Sequence, residues 1–214
     1  MKKAVKLSLF GVPGAGKGTQ AELLTSQLSI PHISTGDMFR GLQHGQTPLA
    51  VKIKTILASG ELVPDSLVTE MTLERLQKED CQQGFLLDGF PRTLPQAVAL
   101  QASQHAVDFL IEITVDRNEV IRRLSGRRVC GVCGTIFHID TLVGEPVCTL
   151  GHGPLSQRAD DMPQAISKRL DVYEANVAPV LNFFKEKGIL RSINGEGDPK
   201  VVFQRILDSI DILA

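Results

Sequence analysis

Tryptophan is absent from this 214-residue chain, tyrosine occurs once, and aromatic residues make up only 5%. With so few rings there is little on which bases can stack, which argues against a single-strand nucleic-acid binder. A surplus of charge is missing too: 23 Lys and Arg against 24 Asp and Glu leave a net charge of −1. No overall field therefore draws the protein to nucleic acid or to an anionic membrane. Long apolar runs are also lacking. The first, Val5 to Phe10, is too short for a signal peptide, and no stretch approaches the ~20 residues of a membrane span. The expected location is the cytoplasm, with neither membrane nor nucleic acid as partner. Cysteine is scarce at four residues. Cys130, Cys133 and Cys148 lie close together in sequence, which in a reducing compartment points to metal rather than disulfides. Cys81 stands apart and is expected to be a small buried residue.

The most specific signal in the chain is Gly11-Val-Pro-Gly-Ala-Gly-Lys-Gly-Thr-Gln20, directly after the apolar run Val5 to Phe10. This is the pattern G-x-x-x-x-G-K-[ST] in the strand-to-helix context its use demands. Such a turn aims successive backbone N–H groups inward, and the helix beginning near Lys17 adds its positive end, so a polyphosphate finds an anion site. Lys17 is expected to reach the outer phosphates and Thr19 to offer its hydroxyl near Mg²⁺. Gly11, Gly14 and Gly16 leave room for backbone to approach oxygen.

Short apolar runs alternate with amphipathic stretches along the rest of the chain, the βαβ rhythm of a parallel sheet covered by helices. Five strands are predicted: Val5 to Phe10, Ile30 to Ser34, Phe85 to Asp88, Phe109 to Val115 and Ile189 to Ile193. A helix is expected from Asp65, read as its N-cap, and the longest helix from Met162-Pro163 to Gly188. Segments 34–63 and 127–161 break the rhythm. They read as insertions at the carboxyl edge of the sheet, where ligands of open α/β folds bind.

Arginines recur in short contexts: Asp37-Met38-Phe39-Arg40, Asp88-Gly89-Phe90-Pro91-Arg92-Thr93, Gly126-Arg127-Arg128, Arg158-Ala159-Asp160-Asp161 and Lys168-Arg169. Phosphoryl transfer asks little covalent chemistry of a protein and much positioning and charge neutralisation, which planar guanidinium groups supply. Asp88, at the end of an apolar run, is suited to hold water around Mg²⁺.

Taken in order, these motifs make the chain resemble the adenylate kinases in their long-lid form, over essentially its whole length. The resemblance implies an α/β, P-loop nucleoside monophosphate kinase fold: a five-stranded parallel sheet flanked by helices, with an AMP-binding insertion and a lid. Residues 1–33, 64–126 and 162–214 would form the core, 34–63 the AMP-binding insertion and 127–161 the lid. The implied reaction is reversible, Mg²⁺-dependent transfer of the terminal phosphoryl of ATP to AMP, giving two ADP, by a monomer. Carried over by position, Gly14, Ala15, Gly16, Lys17, Gly18, Thr19, Arg127, Ile136, Phe137 and Gly197 would hold ATP. AMP would fall to Thr35, Arg40, the backbone of Glu61, Leu62 and Val63, then Gly89, Phe90, Pro91, Arg92 and Gln96, with Gln96 reading the adenine edge. Arg158 and Arg169 would bridge the two nucleotides' phosphates. The catalytic set is thus Lys17, Asp88, Arg92, Arg127, Arg158 and Arg169.

Within the lid segment, Cys130-Gly131-Val132-Cys133 is a metal knuckle, and three thiolates at this spacing favour zinc. The commoner family pattern completes the site with Cys or Asp three residues after the third cysteine. Here that position is Gly151, which cannot bind metal. His152 is the first candidate for the fourth ligand and His138 the alternative. A Cys₃His site has no open position, so its zinc would be structural.

Overall fold

The computed structural model describes residues 4–42 and 63–210, with the side chains of Arg40, Leu42 and Ala159 outside that description. The described residues form two compact units, one of residues 4–11, 16–42, 63–114 and 176–210, the other of residues 12–15 and 115–175.

The first unit is built on a five-stranded parallel sheet in the order β2-β3-β1-β4-β8, from β1 (Val5–Phe10), β2 (His32–Ser34), β3 (Gly84–Asp88), β4 (Phe109–Thr114) and β8 (Leu190–Asn194). Parallel strands covered on both faces read as continuous apolar runs. Accordingly Leu7, Leu9, Phe85, Leu86, Leu87, Leu110 and Ile111 are each at most 1% exposed. Each such side chain contributes about 1.5–3 kcal/mol through burial. The predicted strands hold, with small shifts at their ends. β2 begins at His32 because Pro31 has no N–H to give the ladder; its carbonyl still accepts from Leu86 N at 3.0 Å.

Register decides what stands at the carboxyl edge. Leu9 of β1 and Ser34 of β2 both pair with Asp88 of β3. Helices α1 (Lys17–Leu28) and α2 (Thr35–Leu42) follow β1 and β2, and α3 (Asp65–Leu76) and α4 (Leu94–Ala102) flank β3 in sequence. Asp65 is not the N-cap that the sequence suggested. It is the first helical residue after Pro64, which offers no side-chain cap. Its carboxylate instead accepts from Thr93 Oγ1 (2.6 Å) and Gln96 Nε2 (2.8 Å) at the start of α4, two donors that outcompete a local amide.

The second unit holds α5 (Arg117–Gly126), an antiparallel sheet in the order β6-β5-β7, and the first turns of α6 (Pro163–Glu186). Its strands are β5 (Arg127–Cys130), β6 (Ile136–His138) and β7 (Leu155–Ser156). Val120, Leu124, Ile166 and Leu170 form one buried cluster, against which Val12 and Val115 pack. Cys130, Cys148 and Leu155 form another, with Phe137 and Leu142 against it. The chain ends its described part in α7 (Pro199–Ile210).

Candidate functional site

The turn between β1 and α1 carries the geometry its glycines imply. Gly14 and Gly16 adopt φ of +86° and +94°, backbone that L side chains rarely take. A Cβ on Gly14 would also come within 2.8 Å of Leu124 Cγ. Gly16 stands at the N-cap of α1, whose first turn opens with Lys17, Gly18 and exposed Thr19. Lys17 Nζ donates to Gly11 O at 2.8 Å, so the ammonium is drawn back along the turn it is expected to serve.

Asp88 ends β3 in the same unit, its side chain only 18% exposed and its Oδ2 3.6 Å from His32 Nε2. Burial is the largest single influence on its carboxyl and pushes the pKa up. The His32 ring and the positive charges of Lys17 and Arg92 together outweigh burial, and the net shift is downward. An ionised carboxylate beside the loop lysine is the donor type that Mg²⁺ and its waters take.

Immediately beyond Asp88, Gly89 at φ +83° lets two side chains close in: a Cβ there would sit 2.8 Å from both Thr35 Oγ1 and Arg92 Nη2. Thr35 Oγ1 and Arg92 Nε both donate to Gly89 O, at 3.0 and 2.8 Å. Gln96, buried at 3% exposure, accepts from Arg92 N through Oε1 at 2.8 Å, while its Nε2 is held by Asp65. Phe90 is fully buried, and its carbonyl accepts from Ser8 Oγ at 2.8 Å. Pro91 and Val63 are buried. Arg40 lies in α2 with its side chain outside the description, and Glu61 and Leu62 lie outside the described residues altogether.

Gly197 sits in the loop between β8 and α7 at φ +102°, with open space where a Cβ would be. That loop is tied down by Gly195 N to Thr114 O (2.8 Å) and by Arg205 Nη1 to the carbonyls of Asn194 and Glu196 (both 2.9 Å).

In the second unit, Asp161 is wholly buried and organises the arginines. Arg127 meets it through two bonds, Nε to Oδ2 at 2.7 Å and Nη2 to Oδ1, the paired geometry that fixes a guanidinium plane. Arg169 Nη1 lies 3.3 Å from Asp161 Oδ1 and 2.9 Å from Asp160 Oδ2. The carbonyl of Arg158 accepts from Asp161 N at 3.0 Å. Of the neighbours on β6, Ile136 is 38% exposed and Phe137 packs on the buried cysteine cluster, as alternation along a strand requires.

The candidate metal ligands converge. One ligand atom from each of Cys130, Cys133, Cys148 and His152 lies within 4.8 Å of the others. The Cys133–Cys148 sulfurs are 3.8 Å apart, and His152 Nδ1 is 3.7 Å from Cys130 Sγ and 3.6 Å from Cys148 Sγ. Bonds of about 2.3 Å to sulfur and 2.0–2.1 Å to nitrogen in a tetrahedron give edges of roughly 3.6–3.8 Å, so the set suits Zn²⁺. The Cys133 thiol is drawn down to about 6, first by Thr135, whose hydroxyl lies 3.2 Å away. The His152 imidazole is raised by the sulfurs of Cys133 and Cys130. The alternative ligand, His138, stands outside this cluster: its Nδ1 accepts from Asp140 N at 3.2 Å and its Nε2 lies 3.3 Å from Arg122 O, where it caps a short turn.

Sequence reading missed three participants. Asp65 locks Gln96, Asp161 aligns Arg127, and Arg123, paired with Glu119 at 2.7 Å, sets Nη1 3.4 Å from Ala15 O of the phosphate loop. Asp161 stood in a quoted motif, whereas single charges such as Asp65 and Arg123 carry no local signature.

The family model described as adenylate kinase matches residues 9–189. The chain is 46% identical over 213 residues to an adenylate kinase of Bacillus subtilis (strain 168), covering 95% of this chain and 97% of the relative. It is 47% identical over 212 residues to one of Carboxydothermus hydrogenoformans, covering 96% and 99%. A third, from Geobacter sp. (strain M21), is 44% identical over 212 residues, again covering 96% and 99%.

Proposed function

Because the chain belongs to the adenylate kinase family, and so transfers phosphate from ATP to AMP with Mg²⁺ accompanying ATP, we propose how its own residues divide that work. Gly14 to Thr19 wrap the ATP phosphates with main-chain amides, and Lys17 leaves Gly11 O for the outer phosphates. Ile136 by its side chain, Phe137 by its backbone and the loop at Gly197 contact the nucleoside. Asp88 and Thr19 would hold Mg²⁺ and its waters, which would supply charge neutralisation to the ATP phosphates. On the acceptor side, Thr35, Arg40, the backbone of Glu61 to Val63, Gly89 to Arg92 and Gln96 hold AMP. Gln96 still has one amide hydrogen and one lone pair beyond its bonds to Asp65 and Arg92, which suffices to read a base edge.

Arg92, Arg127, Arg158 and Arg169 neutralise charge along the line of transfer. No protein base is required, since a phosphate oxygen of AMP is the nucleophile. Water is the competitor, and the core, the 34–63 insertion and the 127–161 lid act as three bodies whose closure excludes it. Zinc held by Cys130, Cys133, Cys148 and His152 fixes the lid's shape. A metal knuckle in place of disulfides suits a reducing compartment, which supports a cytoplasmic enzyme; we take it to act as a monomer.

The observation that carries this reading is Lys17, bonded to Gly11 O at the start of the loop, with the ionised Asp88 in the same unit. A coupled assay of ADP formation tests it: transfer needs ATP and AMP together, with GMP, CMP and UMP poor acceptors. A bisubstrate mimic joining two adenosines through five phosphoryl groups should bind tightly. ATP hydrolysis without acceptor-dependent transfer overturns the assignment.

A further inference from the structure

One polar side chain next to the phosphate loop is not explained by the reaction. Gln20, in the first turn of α1, is 3% exposed. Its Nε2 donates to Pro199 O at 2.9 Å, at the start of α7. Its Oε1 is buried with no hydrogen-bond partner among the described residues. Such an amide is poor value for stability: one neutral hydrogen bond yields about as much as the stranded acceptor costs, and an apolar chain of the same length would serve as well. What the amide does uniquely is link two ligand-facing segments. Lys17 and Thr19 precede it on the same helix turn. Pro199 immediately follows the loop of Asn194 to Asp198. Other ties of that loop run to Thr114 of β4 and to Arg205 and the first-turn amides of α7 itself.

We propose that Gln20 is a positioning residue for the phosphoryl donor, holding the base-binding loop at a set distance from the phosphate-binding helix so that both ends of ATP are gripped at once. The inference rests on the reading that the Gly197 loop holds the adenine of ATP. It predicts a defect confined to the donor. An incorrect loop position weakens contacts to the base in ground and transition states alike, so KM for ATP rises while kcat at saturating ATP stays put.

The test is steady-state kinetics of Gln20→Met, close in length without the amide, and of Gln20→Asn, too short to reach Pro199, with Gly197→Val as a control on the loop. Both Gln20 variants should raise KM for ATP ~5–10-fold, the size of one lost neutral hydrogen bond. KM for AMP and kcat should remain within about twofold, the spread normal for a contact that bears on neither. The preference for ATP over ITP as donor should fall by a similar factor, which a loss of general stability does not produce. If Gly197→Val raises KM for ATP but the Gln20 variants leave KM and donor preference unchanged, the positioning role is overturned alone. If Gly197→Val is also silent, the base-loop reading fails and takes the inference with it. A parallel fall in every constant with a lowered Tm, or failure of both Gln20 variants to fold, makes Gln20 a core residue and likewise overturns it.

Discussion

Replacing His152 and His138 in turn separates a metal ligand from a cap, because the structure gives the two rings different work. His152 Nδ1 stands at tetrahedral-edge distances from two sulfurs. Removing it leaves three thiolates and a position for solvent. Disturbing even an outer-shell partner of a metal site costs 10–100-fold in affinity, so His152→Ala is expected to lose at least that, about 1.4–2.7 kcal/mol of metal-linked stability. His138 instead accepts from Asp140 N, and losing a cap costs about 1 kcal/mol whether or not metal is bound. The assay is elemental analysis after dialysis against a competing chelator, followed by thermal unfolding with and without zinc. His152→Ala should lose metal and be less stable than wild type only when zinc is present, the two converging under strong chelation. His138→Ala should keep about one zinc per chain and carry the same small deficit in both buffers. Metal lost from His138→Ala, or held at wild-type affinity by His152→Ala, refutes the assignment.

Two further outcomes follow from the charged residues of the second unit. Asp161→Asn keeps the shape but removes the charge that aligns Arg127 and draws in Arg169; kcat should fall ~10²-fold or more, as when a phosphoryl-clamping arginine is lost, and an unaltered kcat argues that both arginines are oriented by the nucleotides alone. Glu119 is held down from 4.5 to about 2, first by Arg122 and then by Arg123. A depressed carboxyl stabilises the fold above its ordinary pKa and loses that contribution as pH falls towards 2. Glu119→Gln should therefore be less stable than wild type at pH 6, with the gap closing between pH 4.5 and 2 in thermal melts; a gap that does not depend on pH removes the ion pair as its cause.

Local patterns in the sequence account for much of this molecule. Gly11 to Thr19 needs only consecutive residues to make its turn, and unbroken runs such as Phe85-Leu86-Leu87 announce strands covered on both faces, because the chemistry and the periodicity are contained in neighbouring positions. The thiol spacing likewise marked a metal knuckle. Sequence favoured His152 over His138 without deciding between them, since the fourth position depends on which ring the fold turns towards three sulfurs; the structure brings His152 to them and holds His138 at Arg122 O and Asp140 N.

The same limit hid the work of Asp65, which reads locally as a helix cap but finds better donors 28 and 31 residues away in Thr93 and Gln96. It also hid Asp161, whose pairing with Arg127 spans 34 residues. What the amino-acid order determined by itself was the glycine-rich turn after β1, the parallel sheet and the spacing of three thiols that can meet, all set by short-range pattern. What tertiary structure alone decided was which polar groups meet, because a buried donor or acceptor takes whichever partner the packing brings within about 3 Å, and nothing in its sequence neighbours names that partner.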